Sequence, residues 1–163
     1  MTNPLSKTLG LLAILTLFLL AGCETKIVNE WTAAPFIDAY GNENGFILSV
    51  DAERLSSNIN EATISFNEIE DLISGGYKEI FTITVDSNSP ETEFTVTTPD
   101  QQEYVFTCYS GLIFNIDYES NDIAQMIALM EYPYLIFKTD EYSFTLSTSK
   151  FIALYQEHFS PSM

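Results

Sequence analysis

The sequence predicts an α+β fold: an antiparallel sheet of about six to seven strands packed against two or three short helices. Three observations carry that expectation. Short runs alternating apolar and polar residues recur from Phe46 to Ser147, as half-buried strands do. Gly, Pro, Asn and Asp punctuate them at hairpin-like intervals. Three further stretches space their apolar residues three and four apart, the signature of helices lying on a sheet.

In chain order, Trp31 to Tyr40 reads as irregular, interrupted by Pro35. Gly41-Asn42-Glu43-Asn44-Gly45 is a turn, and Phe46 to Val50 a short strand. Ser65-Phe66-Asn67-Glu68 has the form of a capping box. Phe66, Ile69, Leu72 and Ile73 follow at helical spacing and Gly75-Gly76 would stop the helix, so 66–74 is expected helical. Period two then governs Ile80–Val85, Glu93–Thr98, Tyr104–Tyr109 and Leu112–Tyr118, an expected four-strand meander. In its last strand, Leu112, Phe114, Ile116 and Tyr118 share a face. Asp122 to Tyr132 is a second helix, capped by Ser120 or Asn121 and ended by Pro133. Tyr134–Lys138 and Tyr142–Ser147 form a hairpin, and Ser149 opens a last helix to about Phe159.

The 163 residues suffice for one domain, and the 13% aromatic content can build a core. The net charge of −17 excludes nucleic acid as a partner, since a phosphate backbone needs clustered cations and the six Lys and Arg are scattered. Direct docking of the folded domain on anionic lipid is disfavoured for the same reason. The acidity serves solubility or adaptation to salt, or it attracts a cationic partner.

Residues 1–22 read as a targeting segment: Lys7 near the start, an apolar run from Leu9 to Leu20 too short to span a bilayer, then Leu20-Ala21-Gly22-Cys23. Those four residues resemble the lipobox of bacterial lipoproteins. The resemblance implies that Cys23 receives a diacylglycerol thioether, that cleavage precedes it, and that the new amino group is acylated. It implies a protein anchored in the cell envelope and facing the periplasm, with the choice of inner or outer membrane open. Residues 23–30 would be a lipidated tether and 31–163 the domain. All 23 acidic residues lie beyond the signal. With Cys23 lipidated, Cys108 has no partner within the chain, and its period-two position beside Tyr104 and Phe106 predicts a buried thiol.

Catalytic motifs are absent: there is no G-x-S-x-G, phosphate loop, dinucleotide fingerprint or H-E-x-x-H. His158, the one histidine, suits the C-terminal end of its helix, and a zinc site would need more ligands. Asp117-Tyr118-Glu119-Ser120-Asn121-Asp122 starts like a calcium loop, but Asp122 stands where a Gly is needed and Ala128 where a Glu is needed. No cofactor or metal is expected. Tyr118, Tyr132, Tyr134 and Tyr142 are candidate partner-binding residues, since tyrosine joins apolar area to a polar tip.

The run Tyr104 to Gly111 resembles one segment of the membrane-bound lysozyme-inhibitor lipoproteins, although that family's Ser-Gly-x-x-Tyr inhibitory motif has no counterpart here. The β-α-β-β-α tail resembles small secreted domains of the invasion-associated locus B type. The leading expectation is a non-enzymatic, lipid-anchored envelope protein whose acidic domain binds another envelope protein. The alternatives are an inhibitor of a cationic cell-wall enzyme such as a lysozyme, and a carboxylate-based hydrolase.

Overall fold

The computed structural model describes residues 29–37, 41–71, 76–115 and 120–159. Along them run β1 (Thr32–Ile37), β2 (Glu43–Asp51), β3 (Ala62–Asp71), β4 (Gly76–Val85), β5 (Thr92–Thr97), β6 (Glu103–Cys108) and β7 (Leu112–Ile113). There follow α1 (Asp122–Leu129), β8 (Tyr134–Lys138), β9 (Ser143–Ser147) and α2 (Phe151–His158).

Every strand pair is antiparallel. The expected antiparallel α+β character holds, but the expected single sheet is replaced by two. One has the order β1-β2-β3-β4-β7, the other β6-β5-β8-β9. The inner faces explain why. Leu48, Ile64, Phe66, Phe81 and Ile83 of the first sheet join Phe94, Val96, Phe106, Phe137 and Leu146 of the second in one buried cluster. Facing sheets bury both apolar surfaces at once, with the threonine-rich faces turned outward.

The expected meander is corrected at the same point. β5 and β6 pair with each other, but β7 pairs with β4 in the opposite sheet. The chain crosses between sheets at Ser110 and Gly111, both with positive φ (50° and 83°). A side chain on Gly111 would place Cβ 2.9 Å from the Ile83 carbonyl oxygen and 3.0 Å from Ser89 Cβ, so only glycine fits the crossing. Alternation reports which face a residue occupies and says nothing about which strand lies beside it. On β7 the core residue is Ile113, not Leu112.

The expected helix at 66–74 is also corrected. As far as Asp71 this stretch is β3, paired with β4 from Ala62↔Val85 to Asp71↔Gly76. Ala62, Ile64 and Phe66 enter the core with period two, while Ile69 is exposed. The long partner strand outweighs a short local helical pattern, since propensity is a weak prior against tertiary pairing. Residues 72–75 lie outside the described ones. Trp31 to Tyr40, expected irregular, contains edge strand β1. Its Pro35 sits where a missing N–H costs nothing.

Helices stand after β7 where expected, but α1 ends at Leu129 rather than Tyr132 and α2 starts at Phe151 rather than Ser149. Ile123, Met126 and Leu129 of α1 are buried. The Asn121 side chain makes no capping bond at the start of α1, where the Ile123 N–H donates to Asn115 Oδ1 at 3.1 Å. In α2, Phe151 is fully buried with its ring centroid 4.8 Å from Trp31, 5.7 Å from Phe66 and 5.8 Å from Phe81. Trp31 Nε1 donates to the Ser147 carbonyl at 2.9 Å. This aromatic knot ties the start of the described chain to its end.

Candidate binding surface

Leu20, Ala21, Gly22, Cys23 and Tyr118 lie outside the described residues. The other predicted tyrosines are not brought together. Tyr132 and Tyr134 flank the α1–β8 junction, whereas Tyr142 sits at the far end of the β8–β9 hairpin. Tyr134 pairs with Ser147 and Lys138 with Ser143, so about 15 Å of strand separates Tyr134 from Tyr142. Tyr142 packs its ring at 6.1 Å from Phe94, and burial first, then Cys108 and Glu141, raises its phenol pKa.

Cys108 is 1% exposed, between β6 and the crossing turn. Burial pushes its thiol up to about 11, against a smaller opposing pull from the Gly111 backbone N–H. A protonated thiol without access is a packing group, not a nucleophile. His158 stacks on Phe46 with ring centroids 4.0 Å apart and lies 3.9 Å from Glu157, so it packs α2 onto β2.

A cluster that sequence reasoning missed lies under α2. Glu68 of β3 and Glu79 of β4 stand directly opposite each other. The Tyr155 hydroxyl donates to Glu79 Oε1 at 2.7 Å. Burial first, and then the Glu79 charge, raises the Glu68 carboxyl above its ordinary range. Burial, the bond to Glu79 and the charges of Glu79 and Glu68 raise the Tyr155 phenol as well. The facing Glu79 charge helps Glu68 to hold its proton, and the Tyr155 bond commits Glu79 to docking the helix. The signal was legible in principle. Read as a hairpin around Gly75-Gly76, Glu68 and Glu79 fall on one face, but the expected helix at 66–74 hid that pairing.

A wider concentration of charge lies elsewhere. A cleft of about 530 Å³ opens at the end of the sandwich, lined among others by Asp86, Glu91, Asp140 and Glu141. A second, of about 420 Å³, lies on the outer face of the second sheet beside Glu93, Glu103 and Lys138. Thr92, Thr139 and Asp140 line both, so the two adjoin and make an acidic groove in two parts. Among the described residues, six carboxylates line it and Lys138 is its one cation. Asp86 accepts the N–H groups of Asn60 at 2.7 Å and Glu61 at 3.1 Å, which hold its carboxyl below the ordinary range. Asp86 therefore stays ionised at neutral pH.

No protein-family model, curated protein or solved structure matches the chain. What the groove can do chemically follows from its own layout. Among the described residues no three His, Cys, Asp or Glu side chains converge as metal ligands do. The charge is spread along a surface, an arrangement that favours a partner carrying several separated cations over a single ion. No helix among the described residues is long and apolar enough to cross a membrane.

Proposed function

We propose that the chain is a non-enzymatic, lipid-anchored cell-envelope protein whose acidic domain binds a cationic protein partner. The observation that supports this most is the two-part acidic groove, lined among the described residues by six carboxylates and one lysine. Like charges focused in a concave surface raise the local concentration of an oppositely charged partner and speed its encounter. The lipobox-like Leu20-Ala21-Gly22-Cys23 supplies the anchor. Lipidation at two points on Cys23 holds a protein stably at a bilayer, where a single chain does not. From Cys23 to Asn29 the chain spans at most about 20 Å, so the domain works close to the membrane surface.

Two measurements test this. Intact mass of the native protein should show the acyl additions, and Cys23→Ser should move the protein out of the membrane fraction. Capture from an envelope extract should retain a basic protein at low salt and release it at high salt. The groove triple variant Glu93→Gln/Glu103→Gln/Glu141→Gln should lose that capture while staying folded. An unlipidated native product, or capture indifferent to both salt and the triple variant, would refute the proposal. A cationic cell-wall enzyme such as a lysozyme has the required chemistry, and inhibition at low ionic strength would identify it as the partner.

A further inference from the structure

Two open sheets have four edges, and an exposed edge is a template for another strand unless it is blunted. Three of the four are blunted. β1 carries Pro35, with a register shift between Pro35 and Ile37. β7 is only two residues long. β9 is covered by the segment after β2. Glu53 and Thr145 exchange backbone bonds of 2.7 and 2.8 Å, and Ser56 donates to the Ser143 carbonyl at 2.8 Å.

Among the described residues the fourth edge, β6, has no such device. Its register with β5 is unbroken from Thr92↔Cys108 to Thr97↔Glu103, and it contains neither proline nor lysine. The hairpin closes with the Thr98 N–H on the Gln102 carbonyl at 3.0 Å. Hydrogen-bonded pairs alternate along an antiparallel ladder, so Tyr104, Phe106 and Cys108 bond to β5. Glu103, Val105 and Thr107 then turn their N–H and C=O groups outward, and among the described residues none of these groups has a backbone partner. Val105 is 61% exposed.

We propose that β6 takes up an extended, cationic segment of the partner as an added antiparallel strand. This rests on the proposed partner-binding function and specifies where and how binding occurs. The surroundings of the edge define the ligand. On the outer face, Glu103 and Glu93 border the acidic groove beside Val105. On the inner side, a cleft of about 530 Å³ is lined by Tyr104 of β6, by Gln125, Ala128 and Leu129 of α1, and by Glu131 and Tyr132 just beyond it. A strand presents alternate side chains to opposite faces. The fitting segment therefore alternates basic residues, which meet the carboxylates, with apolar residues, which meet Tyr104, Ala128, Leu129 and Tyr132. A second copy of this chain is the wrong occupant, because it would bring a second set of these carboxylates against the first.

A peptide alternating lysine and valine, acetylated and amidated, is the probe, with the full-length protein in nonionic detergent. Opposite Val105, the residue sharing its outer face is a lysine, and that lysine's N–H points at β6. Methylating the lysine backbone amides should weaken binding by at least about tenfold, whereas methylating the valine amides should not. Bound peptide should protect the Val105 and Thr107 amides from hydrogen exchange. Val105→Pro should abolish that added affinity. Val105→Lys, which fits a strand edge and should leave the fold intact, should do the same. Salt-sensitive binding that ignores methylation and protects neither amide would overturn strand addition while leaving an electrostatic partner site in place. Absence of any binding at low salt would overturn both. Protection that rises with protein concentration alone would make a second copy the occupant and overturn the assignment to a cationic partner.

Discussion

Replacing Glu68 by Gln should stabilise the protein at neutral pH. Glu68 and Glu79 are directly opposed across β3 and β4, and like charges so placed cost about 0.2–1 kcal/mol. Glu68 is largely exposed, so water and salt screen the pair, and a gain of about 0.5 kcal/mol is expected. For a domain of this size that is about 2 °C in Tm. The gain must depend on pH. The folded-state pKa of Glu68 is raised above its unfolded value, chiefly by burial and then by Glu79. Between the two values the folded state binds more protons than the unfolded one, so stability falls as pH rises through that window. The penalty is complete above the folded pKa and absent below the unfolded one. Glu68→Gln should therefore gain most at pH 7.5, and the gain should fade as pH falls toward about 4. Urea denaturation across that range is the assay. Glu79→Gln is the contrast: it relieves the same repulsion but weakens the acceptor of the Tyr155 hydroxyl, so it should gain nothing. A loss for Glu68→Gln at pH 7.5, or an equal gain at every pH, would refute the facing-carboxylate account.

Other outcomes follow from the same geometry. Gly111→Ala should cost about 2–3 kcal/mol in chemical denaturation, from its positive φ and the close Ile83 carbonyl, and a neutral result would contradict the crossing between sheets. Native Cys108 should resist alkylation at pH 8 and react once the chain is unfolded in urea; fast labelling of the native thiol would mean that β6 opens. Phe151→Ala should cost about 3–5 kcal/mol because three buried rings surround it, whereas Phe46→Ala at the rim should cost far less.

Which parts of this molecule were legible depended on whether local pattern and long-range pairing agreed. Phe94 and Val96, the β8–β9 hairpin, and the faces of α1 and α2 were readable because each element's own period matched its buried side. At 66–71 the two disagreed. Ser65 and Glu68 mimic a helix start, but Phe66 belongs to an alternating set that begins at Ala62, and the partner strand β4 begins only at Gly76. The division into two sheets was hidden for a related reason. It depends on Gly111 folding back against Ile83, a contact across 28 positions that no window of alternation contains. The acidic groove shares that origin. Its carboxylates at 86, 91, 93, 103, 140 and 141 are unremarkable among 23 acids until the fold sets four at one end of the sandwich and two on the adjoining outer face of the second sheet. The tyrosines illustrate the converse: Tyr134 and Tyr142, near in sequence, are held apart by an extended hairpin.

Salt separates the two roles open to the acidity, because folding and binding respond to it in opposite directions. A net charge of −17 repels itself in the compact state, so screening should stabilise the fold. Attraction between the groove and a cationic strand is weakened by the same screening. Raising ionic strength from about 0.02 M to about 0.5 M shrinks the Debye length from about 20 Å to about 4 Å, below the spacing of most surface charges. The Tm should rise over that range while the affinity for a lysine–valine peptide falls. A charge that served only solubility would produce the first change and leave no peptide binding for salt to weaken. If affinity instead held constant or grew with salt, apolar contact in the α1 cleft would be driving association. The carboxylates at Glu93 and Glu103 would then have no part in choosing the partner.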